Sequence, residues 1–162
     1  MKKSIIALII SLSIVILPSC ARMSYADDVA CEYIGDSIKT SLDESTEYSL
    51  FDRAHIDKNL DVSGEYDDFY AIYSTDTNDI DEIGIFHAPT KEDAEDMAEA
   101  CRDYVEDMQE DSRAFIASYA PEELPKLDDA QVRRFGNYVV YTVLPEDTAN
   151  AVFESIKEAL KK

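Results

Sequence analysis

The sequence contains no tryptophan, only four glycines and five prolines, three cysteines and two histidines in 162 residues. So few glycines and prolines leave no room for a collagen-like repeat, a flexible linker or a low-complexity tract, and the length suits one ordinary domain. Basic residues are scarce as well, 15 Lys and Arg against 35 Asp and Glu, for a formal net charge of -20. A polyanion of that size is repelled by phosphate backbones, so nucleic acid is excluded as a partner. His55 and His87 are far apart with no Cys or Glu at ligand spacing, which argues against structural zinc. No Gly-x-Ser-x-Gly elbow and no glycine-rich phosphate cradle occurs, so neither a serine acyl-transfer site nor a nucleotide site is signalled. Nothing in the sequence calls for a cofactor.

There is one long apolar run, and it stands at the start. Met1-Lys2-Lys3 is a short basic head, Ile5 to Leu17 is interrupted only by Ser11 and Ser13, and Leu17-Pro18-Ser19-Cys20 closes it. This is the layout of an export signal. The run is shorter than the roughly 20 residues needed to cross the hydrocarbon core, so a permanent transmembrane anchor is the poorer reading. Leu17 three places before Cys20, with small Ser19 between, resembles the lipobox of bacterial lipoproteins, in which the cysteine takes a diacylglycerol and becomes the new N-terminus. The expected organisation is a signal peptide over 1–19, a lipidated tether over 20–27 and one domain over 28–162. The partner at that end is then the membrane, reached through the lipid on Cys20, because two acyl chains suffice for stable attachment. The alternative is secretion after cleavage behind Ala26, in the small-x-small pattern Ser24-Tyr25-Ala26.

With Cys20 lipidated, Cys31 and Cys101 form an even pair in an oxidising compartment. Both lie on helical patterns, Cys31 in register with Ile34, Ile38 and Leu42, and Cys101 amid Ala94, Met97, Ala98, Val105 and Met108. Two buried free thiols packing as small hydrophobes is one reading, and a helix-to-helix disulfide is the other.

The mature chain reads as α+β. A first helix is expected from about Asp28 to Leu42, followed by a polar stretch, 43–65, of no clear pattern, although Leu50, Phe51 and Ile56 could pack a short turn on the core. Aromatic and branched residues make strands of Tyr66 to Ser74 and Ile83 to Ala88, joined by the polar stretch Thr75 to Asp81. Thr90 and Asp93 form a capping-box-like start to a long helix whose apolar residues continue to about Ser118 before Pro121. Gly136-Asn137 turns strand Gln131 to Phe135 into strand Tyr138 to Leu144. Pro145-Glu146-Asp147 opens a last helix with the stripe Ala149, Val152, Phe153, Ile156 and Leu160. The expectation is an N-terminal helix, then tandem strand-strand-helix units. Together they form a four-stranded, largely antiparallel sheet, with both later helices on one face.

The segment Ile83-Gly84-Ile85-Phe86-His87-Ala88, the helix through Cys101, Phe115 to Tyr119, Ala120-Pro121-Glu122-Glu123-Leu124-Pro125-Lys126-Leu127 and Gly136-Asn137-Tyr138-Val139-Val140 together resemble a known family. It is the uncharacterised lipoprotein family of Gram-positive bacteria called domain of unknown function 4358. The likeness covers roughly Asp68 to Leu144. It implies a lipid-anchored extracytoplasmic protein of unassigned activity and carries over no catalytic residue. Pro125 points to a poorly helical segment there.

Candidate chemistry is thin. Asp76, Asn78, Asp79, Asp81 and Glu82 place hard oxygens in one hairpin loop, a weak cation loop that fails as an EF-hand because Ile80 and Asp81 stand where an oxygen ligand and a glycine belong. His87 alternates with Ile85 and Ile83 and reads as a packed or hydrogen-bonded histidine, with a general base as the alternative. Carboxylate pairs such as Asp67-Asp68 are expected at random among 35 acids, so no glycosidase-like acid and base can be assigned. Ten tyrosines are the real surplus. They either fill the sheet's core or offer a recognition surface for an envelope protein, peptide or glycan. The functional expectation is a binding or accessory module rather than an enzyme, with an envelope hydrolase and a weak divalent-cation binder as alternatives and the oligomeric state not specified.

Overall fold

The computed structural model describes residues 24–162. The expected signal segment, the lipobox-like Leu17 to Cys20 and Cys20 itself lie outside the described residues. Helix α1 (Cys31–Ile38) is followed by strand β1 (Tyr48–Leu50), helix α2 (Arg53–Asn59), and the hairpin of β2 (Asp68–Ser74) and β3 (Glu82–His87). The long helix α3 (Lys91–Tyr119), the short α4 (Leu124–Asp128), the hairpin of β4 (Gln131–Phe135) and β5 (Tyr138–Val143), and α5 (Glu146–Ala159) complete the chain. The strands form one sheet in the order β1-β2-β3-β5-β4, every neighbour antiparallel. No described helix is long and apolar enough to cross a membrane.

The local signals act as expected at several element ends. Thr90 Oγ1 accepts the amide of Asp93 at 3.1 Å and starts α3. Phe135 pairs with Tyr138 across a two-residue turn, in which Gly136 takes φ +66°. A positive φ at the first turn position only is the type II′ arrangement, where glycine avoids a Cβ clash. Four expectations fail, three of them within single segments. The sheet has five strands rather than four, because the polar 43–65 stretch holds β1 as well as α2. The first helix is shorter than 28–42, ending at Ile38 and relaxing into a single 3-10 turn over Lys39–Ser41. Pro125 does not unwind its segment: it sits in the first turn of α4, where a missing N–H costs nothing.

The two later helices also lie on opposite faces of the sheet, not on one. All six residues of β5 and five of six in β3 are buried, so both faces of these strands need covering. One core joins Ile72, Ile83, Ile85, Tyr138 and Val140 to α1 and α5 through Ile34, Ile38, Val152, Phe153 and Ile156. The other joins Ala71, Phe86, Val139 and Tyr141 to α2 and α3 through Ile56, Met97, Ala98 and Val105. The result is three layers with the sheet in the middle. Cys31 belongs to the first core and Cys101 to the second, and both thiols are free and buried. The sheet stands between them, which replaces the disulfide alternative by two packed thiols.

The expected tether is partly docked. Tyr25 meets the Phe135 ring edge-on at 5.5 Å and bridges to Lys161, and the Ala26 amide donates to the Leu160 carbonyl at 2.8 Å. Tyr25 and Ala26, placed by expectation in the tether, thus contact the folded body.

Candidate functional site

The hairpin loop between β2 and β3 distributes its oxygens among three jobs. Asp76 Oδ1 accepts from the backbone and side-chain amides of Asn78 at 2.9 and 3.2 Å, which closes an Asx turn. Asp79 and Asp81 converge with Glu123, from the turn before α4, so that one oxygen of each lies within 4.8 Å of the others. Between them stands the Lys126 ammonium, 2.7 Å from each of Asp79 Oδ1, Asp81 Oδ1 and Glu123 Oε2. Glu82 points the other way, into the α3 side of the sheet. The five-residue cation loop is thus not assembled: two of its members meet, two residues absent from it complete the cluster, and the cation is the protein's own lysine.

The electrostatics follow from that enclosure. Burial works against the Lys126 charge, but bonds to Asp79, Asp81 and Glu123 outweigh it and raise its pKa above the ordinary value. Asp79 is likewise opposed by burial, yet the bonds from Lys126 and the Asp81 amide bring it down to about 2. Asp81 moves up, because its own burial exceeds the help it gets from Lys126 and from the Tyr48 hydroxyl at 2.8 Å. That last bond matters for the fold, since Tyr48 is the first residue of β1 and is thereby tied to the hub.

Glu82 Oε1 accepts from Tyr141 Oη at 2.5 Å and Tyr104 Oη at 2.9 Å. Gly84 makes this approach feasible, because a Cβ there would run into the Tyr141 ring. Burial raises the Glu82 pKa, with the two hydroxyls only partly restoring the charged form, and burial pushes both tyrosines up. These three groups satisfy one another beneath α3. Two of the tyrosine surplus are consumed here, as the core-filling reading requires.

His87 sits at the far end of β3, with Nδ1 2.7 Å from Asp67 Oδ1, Nε2 3.4 Å from Asp27 Oδ1, and its ring against Tyr138. Burial lowers its pKa, but the bond and charge of Asp67, then of Asp27, raise it overall. Asp68 beside it accepts the Cys31 amide at 2.7 Å at the start of α1. Burial, then Asp68, push the Cys31 thiol well up, so it stays protonated and is a poor nucleophile. His87 is a hydrogen-bonded histidine that clasps the docked N-terminal segment through Asp27.

The large hydrophobic side chains exposed among the described residues are Tyr33, Leu50, Tyr73, Phe115 and Tyr119. Tyr73 and Phe115 line a groove of about 320 Å³ with Phe51, Met108 and Ile116, between the β1 side of the sheet and the second half of α3. Tyr119 stacks on Phe115 with ring centres 4.5 Å apart, and Phe51 lies against Tyr73 at the same separation. On the other face of the same edge, Leu50 lines a groove of about 450 Å³ with Tyr48, Tyr70 and the carboxylates of Glu32, Asp36 and Glu44. Sequence reasoning packed Leu50 and Phe51 on the core and gave no sign of this edge, since β1 carries no alternating pattern long enough to read.

Comparison with known families settles the relationship suggested by the Tyr-Ala-Pro-Glu-Glu-Leu and Gly-Asn-Tyr-Val-Val segments. The pattern of the family described as Domain of unknown function (DUF4358) matches residues 40–144. The chain belongs to the DUF4358 family. That region contains the whole sheet, the Lys126 hub and the apolar groove, while α1 and α5, the layer over one face, lie outside it. No curated protein and no solved structure matches the chain.

Proposed function

We propose that this chain is a lipid-anchored extracytoplasmic protein whose body is a non-catalytic binding or accessory module at the cell envelope. The observation that carries the binding part is the exposure of apolar side chains at one sheet edge, Tyr73, Phe115 (62 % exposed) and Tyr119 (71 %) on its α3 face and Leu50 (65 %) on the opposite face. The α3-side part, Phe51, Tyr73, Phe115 and Tyr119, is contiguous, and contiguous apolar surface on a strongly charged domain marks a contact region. The buried charged groups at Lys126 and Glu82, by contrast, are matched to internal partners, an arrangement that holds structure.

The address rests on Leu17 to Cys20, and the docked segment supports it. Cleavage behind Ala26 would remove Tyr25 and Ala26, which the fold uses against Phe135 and Leu160. Processing at Cys20 keeps them. From Cys20 to Tyr25 the chain can reach at most about 18 Å when fully extended, so the body is held close to the bilayer on its β4 side. Cys20→Ala is expected to abolish fatty-acid labelling and release the protein from membrane to medium; unchanged labelling refutes the anchor.

A further inference from the structure

We propose that the outer edge of β1 is a strand-addition site for an extended partner segment in which basic and apolar side chains alternate. This deepens, and rests on, the binding-module reading. Ser49 is paired opposite Tyr73, and Phe51 donates to Ala71 while Thr75 donates to the Glu47 carbonyl. Antiparallel pairing alternates, so the backbone groups of Glu47, Ser49 and Phe51 face β2, and those of Tyr48 and Leu50 face outward. No described strand pairs with that side. An open row of donors and acceptors is a template for another strand.

The two faces beside this edge differ in chemistry, which sets the partner's pattern. Successive side chains of an added strand point to opposite faces. On the α3 side they would approach the groove of Phe51, Tyr73, Met108, Phe115 and Ile116, whose acidic members Asp79, Asp81 and Glu82 are already taken up by Lys126 and by the Tyr104 and Tyr141 hydroxyls. On the α1 side they would meet Glu32, Asp36, Asp43 and Glu44, against which the groove sets the single base Lys39, already bonded to Asp36. Apolar on one side and cationic on the other is the complementary sequence. A second copy of this chain is disfavoured as occupant, because it would bring the same carboxylates and a net charge of -20 to the contact.

The test is a titration of the folded domain, followed by fluorescence anisotropy, with a labelled acetylated amide of about eight residues in which Lys and Val alternate. Three companions accompany it: the same composition in Lys-Lys-Val-Val blocks, the alternating peptide N-methylated at every second residue, and a Glu-Val version. The alternating peptide is expected to bind at least about tenfold more tightly than the blocked and N-methylated ones, and the Glu-Val peptide not at all. Leu50→Pro, which removes an outward N–H, and Leu50→Lys should each weaken binding about tenfold, with circular dichroism and urea midpoints showing that both fold; Arg133→Ala on β4 should leave it unchanged. Equal binding of blocked and alternating peptides overturns the proposal, as does no binding by any peptide. Tight alternating-peptide binding that both Leu50 variants leave intact overturns the β1 assignment while the binding-module reading stands.

Discussion

The two edges of the five-stranded sheet are finished in different ways. At β4, Arg133 donates to Gln131 and Asn150 and lies over the Phe153 ring at 4.1 Å, while Arg134 reaches Glu95 across the other face at 3.4 Å. One arginine thus folds over each face, a common way to keep an edge from pairing. β1 carries Tyr48-Ser49-Leu50, with no charge and no proline. Its security comes from behind, through the Tyr48 hydroxyl on Asp81 and the Lys126 hub. The guarded edge is also the one against which Tyr25 docks, through Phe135. Four strand spacings of about 4.8 Å separate it from the open one, so the unguarded edge lies on the side away from the chain's entry.

If β1 is held by its hub and β4 by its own arginines, the variants rank accordingly. Lys126→Met leaves three carboxylates facing one another with no cation, and removing one partner of a largely buried ionic cluster costs about 3 kcal/mol. Urea unfolding should show that loss, and hydrogen exchange should show the Ser49 amide losing protection ahead of the β3–β5 ladder. Millimolar Ca²⁺ should restore part of the stability of this variant and leave the native chain unmoved. Tyr48→Phe removes a hydroxyl bond to a carboxylate and should cost about 1.5 kcal/mol, again with β1 loosened first. Arg133→Ala forfeits an exposed cation–π contact worth about 0.5–1 kcal/mol and should leave β1 protection unchanged. Equal losses at both edges would erase the distinction.

Protons offer a finer separation. Asp79 is held down to about 2, so its contribution is complete above the unfolded value near 3.8 and disappears as pH falls toward 2. Asp81, in the hub, and Glu82, outside it, are raised, and their contributions run the other way, declining as pH climbs through their shifted values, so that of Asp81 blunts the acid loss at the hub. His87, at the docked N-terminal end, is raised by Asp67 and Asp27. Its contribution is complete below the unfolded value near 6.5 and is lost as pH rises through the folded one. A melting series from pH 6 to 9 should therefore show a small decline that His87→Gln removes and Tyr48→Phe does not.

Much of the fold was legible because its signals are local. Thr90 and Asp93, Gly136 and the α5 stripe each act within a turn or two, and the elements they begin or join stand close to the expected positions. The layer assignment was not legible from such signals. Ile83, Ile85 and Phe86 are all apolar, and a strand buried on both sides does not say which helix covers which face. β1 escaped because three residues are too short for a period, and its stability comes from Asp81 and Lys126, 33 and 78 positions away in sequence terms when counted from Tyr48. The hub escaped for a related reason: Asp79 and Asp81 were visible as oxygen donors, but Glu123 and Lys126 arrive from beyond α3. The acid-rich loop announced a cation, and the sequence pattern around it had no means of showing that the cation is a lysine.

The claim that the β1 edge receives an extended partner is tested most directly by backbone amide shifts of the isotope-labelled domain titrated with the alternating Lys-Val peptide. The account predicts the largest changes at Tyr48 and Leu50 and in the two grooves beside them, with Gln131 to Phe135 undisturbed. Shifts centred on β4, or scattered over the acidic outer face of α3 with β1 silent, would contradict it.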